Sequence, residues 1–263
     1  MARVRSLNPV SPCKPLGVGA TLVWSAAALV AWIGAQVALA VAAAFWLGAS
    51  ADLASDATVI SVVVIGAAPA ALIVIAFAAR TARCGIVEYL ALRWPAPRHV
   101  ALGLLCFAVL IPTVDVVSWL AGREVSPAFV TNVYRSARDG GALPFLVVAL
   151  VVATPLVEEA LFRGLLLPGL AASRLGPTAA IGLTAAAWAL MHIQYAPFYL
   201  IQALAFGVAF GWLRWRSGST LLTIVLHGVV NLVSLIQAAA VVEGLTTARG
   251  FAARGFALLY GAG

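Results

Sequence analysis

Between Leu143 and Ala172 the chain runs through an apolar stretch that is charged at one place only, Glu158-Glu159-Ala160-Leu161-Phe162-Arg163. Two carboxylates and a guanidinium inside a hydrophobic helix are costly. Even the lower estimates put a charged residue at the centre of a membrane helix at about 2.5–3.5 kcal/mol. Such a cluster persists only if its members are paired, hydrated or used, so the rest of the chain has to bring other polar groups to it.

The surroundings point to a bilayer. Of 263 residues, 63% are hydrophobic and 10% charged, where a soluble domain carries about 25% charged residues. Several apolar runs are continuous and long enough to cross a membrane, which excludes the short alternating segments of a β-barrel. The expected class is an all-α polytopic membrane protein of about 7–8 transmembrane helices, organised as one integral membrane domain over residues 1–263. The net charge of +7 does not indicate nucleic-acid binding, because the basic residues sit at the ends of apolar runs, where topology is set. The excess of Arg over Lys and the abundance of Ala are those of a bacterial, GC-rich genome. Cys13, Cys84 and Cys106 have no metal-ligand or redox spacing and read as structural.

The expected spans are Gly17–Gly48, Ala57–Ala79, His99–Ala121, Leu143–Ser173, Thr178–Ile193, Pro197–Leu213 and Thr220–Val241, with Phe256–Tyr260 as an eighth short or interfacial segment. The first run is about twice the length of a signal-peptide apolar region and is expected to be retained. Residues 1–16 form a basic tail. Residues 88–95 are amphipathic and end at proline, which suggests a segment lying along the interface with Tyr89 and Trp94 at headgroup level. Gly122–Gly141 reads as a loop of mixed charge. Gly207 and Gly211 have the spacing that allows close helix approach. With the N-terminus inside, the inner loops hold Arg3, Arg5, Lys14, Arg80, Arg83, Arg93, Arg98, Arg174, Arg214 and Arg216. The outer loops hold Arg123, Arg135, Arg138, Arg249 and Arg254. Ten basic residues against five favour a cytoplasmic N-terminus in a bacterial inner membrane.

Two of the three histidines, His192 and His227, lie within apolar runs; His99 sits at a span entrance and reads as interfacial. Adjacent residues on a helix point about 100° apart, and residues i and i+4 share a face. Glu159 therefore lies over Arg163, and Glu158 is left to face elsewhere. Trp188 and His192 form a second i, i+4 pair, and His227 and Asn231 a third. Counted from the expected inner ends of their spans, Glu158, His192 and His227 lie roughly 22, 21 and 10 Å deep, so His227 is too shallow unless its span tilts or begins earlier.

This set is the inventory of a hydrolase that activates water. Neither Gly-x-Ser-x-Gly nor His-Glu-x-x-His is present. A desolvated carboxylate suits a general base, a histidine beside it can hold or shuttle a proton, and a histidine with an asparagine can donate to an oxyanion. Alternatively Glu158, His192 and His227 ligate a divalent metal such as zinc, which lowers the pKa of bound water. The residues leave both mechanisms open.

The motifs Glu158-Glu159-x-x-x-Arg163, Trp188-x-x-x-His192 and His227-x-x-x-Asn231 resemble those of the CPBP family of intramembrane proteases, which includes CAAX prenyl endopeptidases and bacteriocin-processing and self-immunity proteins. The similarity is strongest over residues 144–235, and the flanking Tyr89–Arg93 and Gly211–Ser219 segments are also similar. One departure is Trp188, where the family usually has phenylalanine. The resemblance implies hydrolysis of a peptide bond in a membrane-associated protein or peptide. It makes Glu158 the water-activating base with His192 beside it, and His227 and Asn231 the oxyanion donors. Glu159, Arg163 and Trp188 are expected to support them. The bond is expected to be cut near the inner face. The competing readings are a non-proteolytic scaffold or regulator of the immunity type, and a transporter, for which inverted repeats are missing.

Overall fold

The computed structural model describes residues 13–47 and 56–245. Among them there are nine helical elements and no strand: α1 (Val18–Leu47), α2 (Ala57–Thr81), α3 (Ile86–Tyr89), α4 (Pro97–Leu120), α5 (Ala128–Asp139), α6 (Leu143–Ala171), α7 (Gly176–Leu190), α8 (Pro197–Ser217) and α9 (Thr220–Val242). Six of these, all but α3, α5 and α7, are long and apolar enough to span a membrane, and α7 is a shorter apolar helix. The protein is an all-helical, multi-pass membrane protein. The expected eighth segment at 256–260, most of the basic tail, and Arg249 and Arg254 lie outside the described residues.

Helix starts carry ordinary signals. Asp56 caps α2 by accepting from the backbone N–H groups of Thr58 (2.8 Å) and Val59 (3.0 Å). Ser219 caps α9 by accepting from Leu222 N–H at 3.0 Å, and proline opens α4 and α8. These are the side-chain and backbone choices that satisfy or remove unpaired donors of a first turn. Gly218 ends α8 at φ 65°, a conformation that costs glycine nothing.

The charged helix is the central one. In α6, 56% of the most apolar window is buried within the protein, against 11% in α1 and α4 and 33% in α2, α8 and α9. The outer helices turn Val23, Val30, Val41, Leu105 and Ile201 outward, as lipid contact requires. Gly207 and Gly211 let α8 lie close on α7: a Cβ at Gly207 would fall 3.0 Å from that of Ala185, and one at Gly211 3.0 Å from Ile181 Cγ2.

The segment after α2 departs from the surface-lying expectation. Tyr89, Leu90 and Ala91 are buried, while Trp94 is exposed. The Tyr89 hydroxyl accepts from Leu16 N–H at 3.3 Å. Ala91, held at φ 52°, accepts from Thr220 N–H at 3.0 Å. Arg93 Nε donates to Gly218 O at 3.0 Å, and Ser219 Oγ donates to Arg93 O at 2.5 Å. The segment plugs the start of α9 rather than floating on the bilayer. Arg214, expected as a loop charge, is also buried and donates to Thr220 Oγ1 at 2.8 Å.

The loop expected at 122–141 contains α5. Its Val130, Val133 and Ala137 are buried at the i, i+3, i+7 spacing of one helix face. Cys13 and Cys84 face each other with Cα atoms 6.0 Å apart, within reach of a disulfide that would join the lead-in to α1 to the turn after α2; Cys106 has no such neighbour among the described residues.

Candidate active site

Helix α6 is not a regular α-helix. Thr154–Glu159 is α-helical, but Val148–Ala153 before it and Ala160–Leu166 after it are π-helical. Wider turns of this kind redirect side chains and loosen the backbone hydrogen-bond ladder, and they concentrate at functional sites. Here they bracket the two glutamates. Asn231 Nδ2 donates to Leu150 O at 2.7 Å, so a carbonyl in the first π-helical stretch is tied to α9. Gly228 is needed at the same crossing, since a Cβ there would lie 2.7 Å from Val151 O.

The two glutamates diverge as adjacent helical residues must. Glu159 Oε1 takes Arg163 Nη1 at 2.9 Å, with both side chains fully buried, in the i, i+4 pairing expected from sequence. Arg163 Nη2 donates to Gly207 O at 3.0 Å, and its guanidinium lies 5.1 Å from the Trp188 ring centroid, within the range of a cation–π contact. The same Glu159 oxygen is 3.0 Å from His227 Nδ1. A carboxylate only accepts, so Nδ1 carries a proton and Nε2 is directed away from Glu159.

Glu158 faces a cavity of about 760 Å³. Its Oε2 accepts from Trp188 Nε1 at 2.5 Å and lies 4.0 Å from His227 Nε2. His227 thus spans the two carboxylates, one at each ring nitrogen. The depth mismatch expected for His227 disappears because α9 begins inside the protein: Ser219 and Thr220 are fully buried beneath residues 89–93. Counting from the membrane face therefore understates how deep His227 sits.

His192 stands in the turn after α7, with Nδ1 3.0 Å from Trp188 O. A carbonyl accepts only, so Nδ1–H is the donor and Nε2 is left without that proton in the neutral ring. The Trp188 indole separates the two histidines, with ring centroids 4.7 Å from His192 and 5.5 Å from His227. That spacing explains why Glu158, His192 and His227 do not converge as a ligand triad. Among the described residues no three His, Cys, Asp or Glu side chains form a group fit to hold a metal ion.

Glu158, Trp188, His192, His227 and Asn231 all line the cavity; Glu159 and Arg163 are packed behind it. Asp115, Tyr195, Tyr199, Gln202 and Gln237 line it too and belong to none of the three motifs. Asp115 had a visible signal, as a carboxylate within an apolar run. The cavity occupies the halves of the helices remote from the α1 start. It is bounded by Val125, Pro127 and Phe129 before and within α5, and by Met191–Tyr195 between α7 and α8. With the cytoplasmic N-terminus that the loop charges favour this would be the outer half, and with the opposite orientation the inner half that the sequence reading expected.

Residues 140–233, which carry all three motifs, match the Rce1-like family, described as type II CAAX prenyl endopeptidase Rce1-like. This match supports the resemblance of these residues to the CPBP family. The CPBP match covers α6 through most of α9 and so includes every residue placed around Glu158 and Glu159. No curated protein and no solved structure matches the chain.

Proposed function

We propose that the protein is an intramembrane endopeptidase that hydrolyses a peptide bond of a membrane-associated protein or peptide, with residues 144–235 as its catalytic core. The observation that carries this reading is the position of Glu158: a carboxylate at the wall of a membrane-embedded cavity, held by one indole N–H and faced by His227.

Glu158 takes a proton from a water molecule, and the resulting hydroxide adds to the scissile carbonyl carbon. The oxyanion that forms is met by His227 Nε2–H and by the second N–H of Asn231, whose first is used on Leu150 O. Since His227 Nδ1–H goes to Glu159, Nε2 donates only when the ring carries both protons. The buried cluster then holds two carboxylates against Arg163 and one imidazolium and is neutral overall, the state that burial favours. His192 Nε2, on the other side of the indole, relays the proton from Glu158 to the leaving amine. No step requires a metal ligand set, which these side chains do not form. The protein sits in a bacterial inner membrane with its N-terminus in the cytoplasm.

The test compares membrane peptides from cells carrying the native protein, Glu158→Ala or His227→Ala, identified by mass spectrometry. Products present with the native protein and absent with both folded variants are expected. Full activity in both variants would overturn the reading, and complementation of a deletion phenotype by the Glu158→Ala protein would favour a scaffold or regulator instead.

A further inference from the structure

Asp115 lies in α4, away from the three motifs, yet its carboxylate lines the cavity that Glu158 faces. It is half-buried, and its Oδ2 accepts from Gln237 Nε2 at 2.8 Å. Gln237 lies on α9 beyond Asn231, so the hydrogen bond crosses between α4 and α9. Asp115 also lines a second cavity of about 380 Å³ between those two helices. That cleft is otherwise apolar, walled by Ile111, Pro112, Val116, Val233 and Ile236. Val116 and Ile236 are exposed, so the cleft continues to the lipid-facing surface. Ile111, Asp115, Val233 and Gln237 belong to both cavities. Asp115 therefore marks the junction of an apolar cleft with the chamber that holds Glu158.

Apart from His227, whose ring is held between Glu158 and Glu159, the charged side chains of the chamber have one sign. Among the described residues its acidic side chains are Glu158 and Asp115, and no Lys or Arg lines either cavity. The one buried guanidinium nearby, Arg163, is turned to Glu159 and Gly207 O. A substrate ending at a CAAX motif brings a free C-terminal carboxylate close to the scissile bond, and this chamber offers that group no Lys or Arg, its His227 being engaged by the two glutamates. A carboxylate placed within a span has a default reading as a functional group with a charged partner. The partner missing from Asp115 is a cation, and a long Lys or Arg side chain that leaves apolar surroundings by its tip suits the position.

We propose that Asp115 is a specificity-determining residue that takes a lysine or arginine side chain of the substrate, while the adjoining apolar segment of that substrate lies in the α4–α9 cleft. The substrate class is an apolar peptide with a basic residue near the scissile bond, cut internally rather than at a free C-terminus. This rests on the proteolytic reading of the cavity, and it is tested by binding so that the two can fail separately.

The experiment uses the full chain carrying Glu158→Gln, which removes cleavage and the second acidic group, in nanodiscs of phosphatidylcholine. The probes are fluorescent apolar peptides with amidated C-termini, identical except for one Lys, Gln or Glu, together with a free-carboxylate form of the Gln peptide. The Lys peptide is expected to bind about tenfold tighter than the Glu peptide, the scale of a charge-assisted hydrogen bond. Asp115→Asn, which keeps the size of the side chain and a carbonyl oxygen for Gln237, is expected to bring the two within about twofold, and Asp115→Lys to reverse the order. Equal binding of the Lys and Glu peptides, tightest binding of the free carboxylate, a lysine preference that survives Asp115→Asn, or no binding by any peptide overturns the proposal. Absence of cleavage in the protein with native Glu158, alongside an Asp115-dependent lysine preference, overturns the proteolytic reading and leaves the recognition site standing.

Discussion

Trp188 Nε1 donates to Glu158 Oε2 across the α6–α7 interface, at 2.5 Å. Phenylalanine, usual at this position in the CPBP family, fills similar space and has no N–H to give. The indole thus does two things here: its ring separates His192 from His227, and its nitrogen sets the direction of the carboxylate.

Trp188→Phe separates those roles. The ring remains, so the cavity wall and the fold are expected to persist. The lost hydrogen bond is to a charged group, worth about 1.5–3 kcal/mol, and part of that is expressed in how well Glu158 is aimed. On a peptide cut by the native protein, kcat is expected to fall about tenfold with KM unchanged within a factor of about two. A native kcat in Trp188→Phe would show that the indole N–H does not position Glu158.

Arg163 is fully buried with Glu159, and it is bound at two points by different nitrogens. Removing one partner of such a pair leaves an uncompensated buried charge, at a cost of about 3–5 kcal/mol. Arg163→Met is therefore expected to lower thermal stability in detergent sharply. Arg163→Lys is expected to rescue little, because an ammonium does not reproduce a planar fork reaching both Glu159 and Gly207 O. The double variant Glu159→Gln/Arg163→Met is expected to be more stable than Arg163→Met alone. Additive losses in this cycle would contradict the pairing.

That pair was legible in the sequence because it is local: residues four apart on one helix meet whatever the remaining helices do. The spans were legible for the same reason, being set by length and apolarity. The Trp188–Glu158 bond was not, since it joins residues of two helices and depends on their relative rotation. The π-helical stretches on either side of Glu158–Glu159 were hidden because no residue type specifies a wide turn; the packing of α9 at Gly228 and Asn231 accompanies it. The depth of His227 was misjudged because the start of α9 was taken to lie at the membrane face, whereas residues 89–93 cover it. Helix α5 was passed over although Val130, Val133 and Ala137 carry a helical period, because its polar residues resembled a loop.

Gly228 sits next to His227 where α9 crosses the π-helical part of α6, and an added methyl would meet the Val151 carbonyl at 2.7 Å. A backbone atom cannot yield as a flexible side chain does. Gly228→Ala is expected to push α9 outward, to cost about 1–3 kcal/mol of stability as overpacking does, and to lengthen both the His227–Glu159 and Asn231–Leu150 contacts. Activity is expected to fall more than tenfold at a temperature where the variant remains folded by circular dichroism. Native turnover by Gly228→Ala would mean that the crossing tolerates separation and that His227 and Asn231 need not be held this closely.

Membrane sidedness and the state of Cys13 and Cys84 are settled by one measurement. The loop charges favour a cytoplasmic α1 start, in a compartment where glutathione and thioredoxin keep paired cysteines reduced. The cavity, at the opposite ends of the helices, then faces the periplasm. In intact cells, Cys13 and Cys84 are expected to react with a membrane-permeant maleimide without prior reduction and to be spared by an impermeant one, and a cysteine placed at exposed Glu124 is expected to react with both. If Cys13 and Cys84 react only after an added reductant, and the impermeant reagent then reaches them, the α1 start is periplasmic. The arginine count is then overruled, and the Glu158 cavity opens toward the cytoplasm.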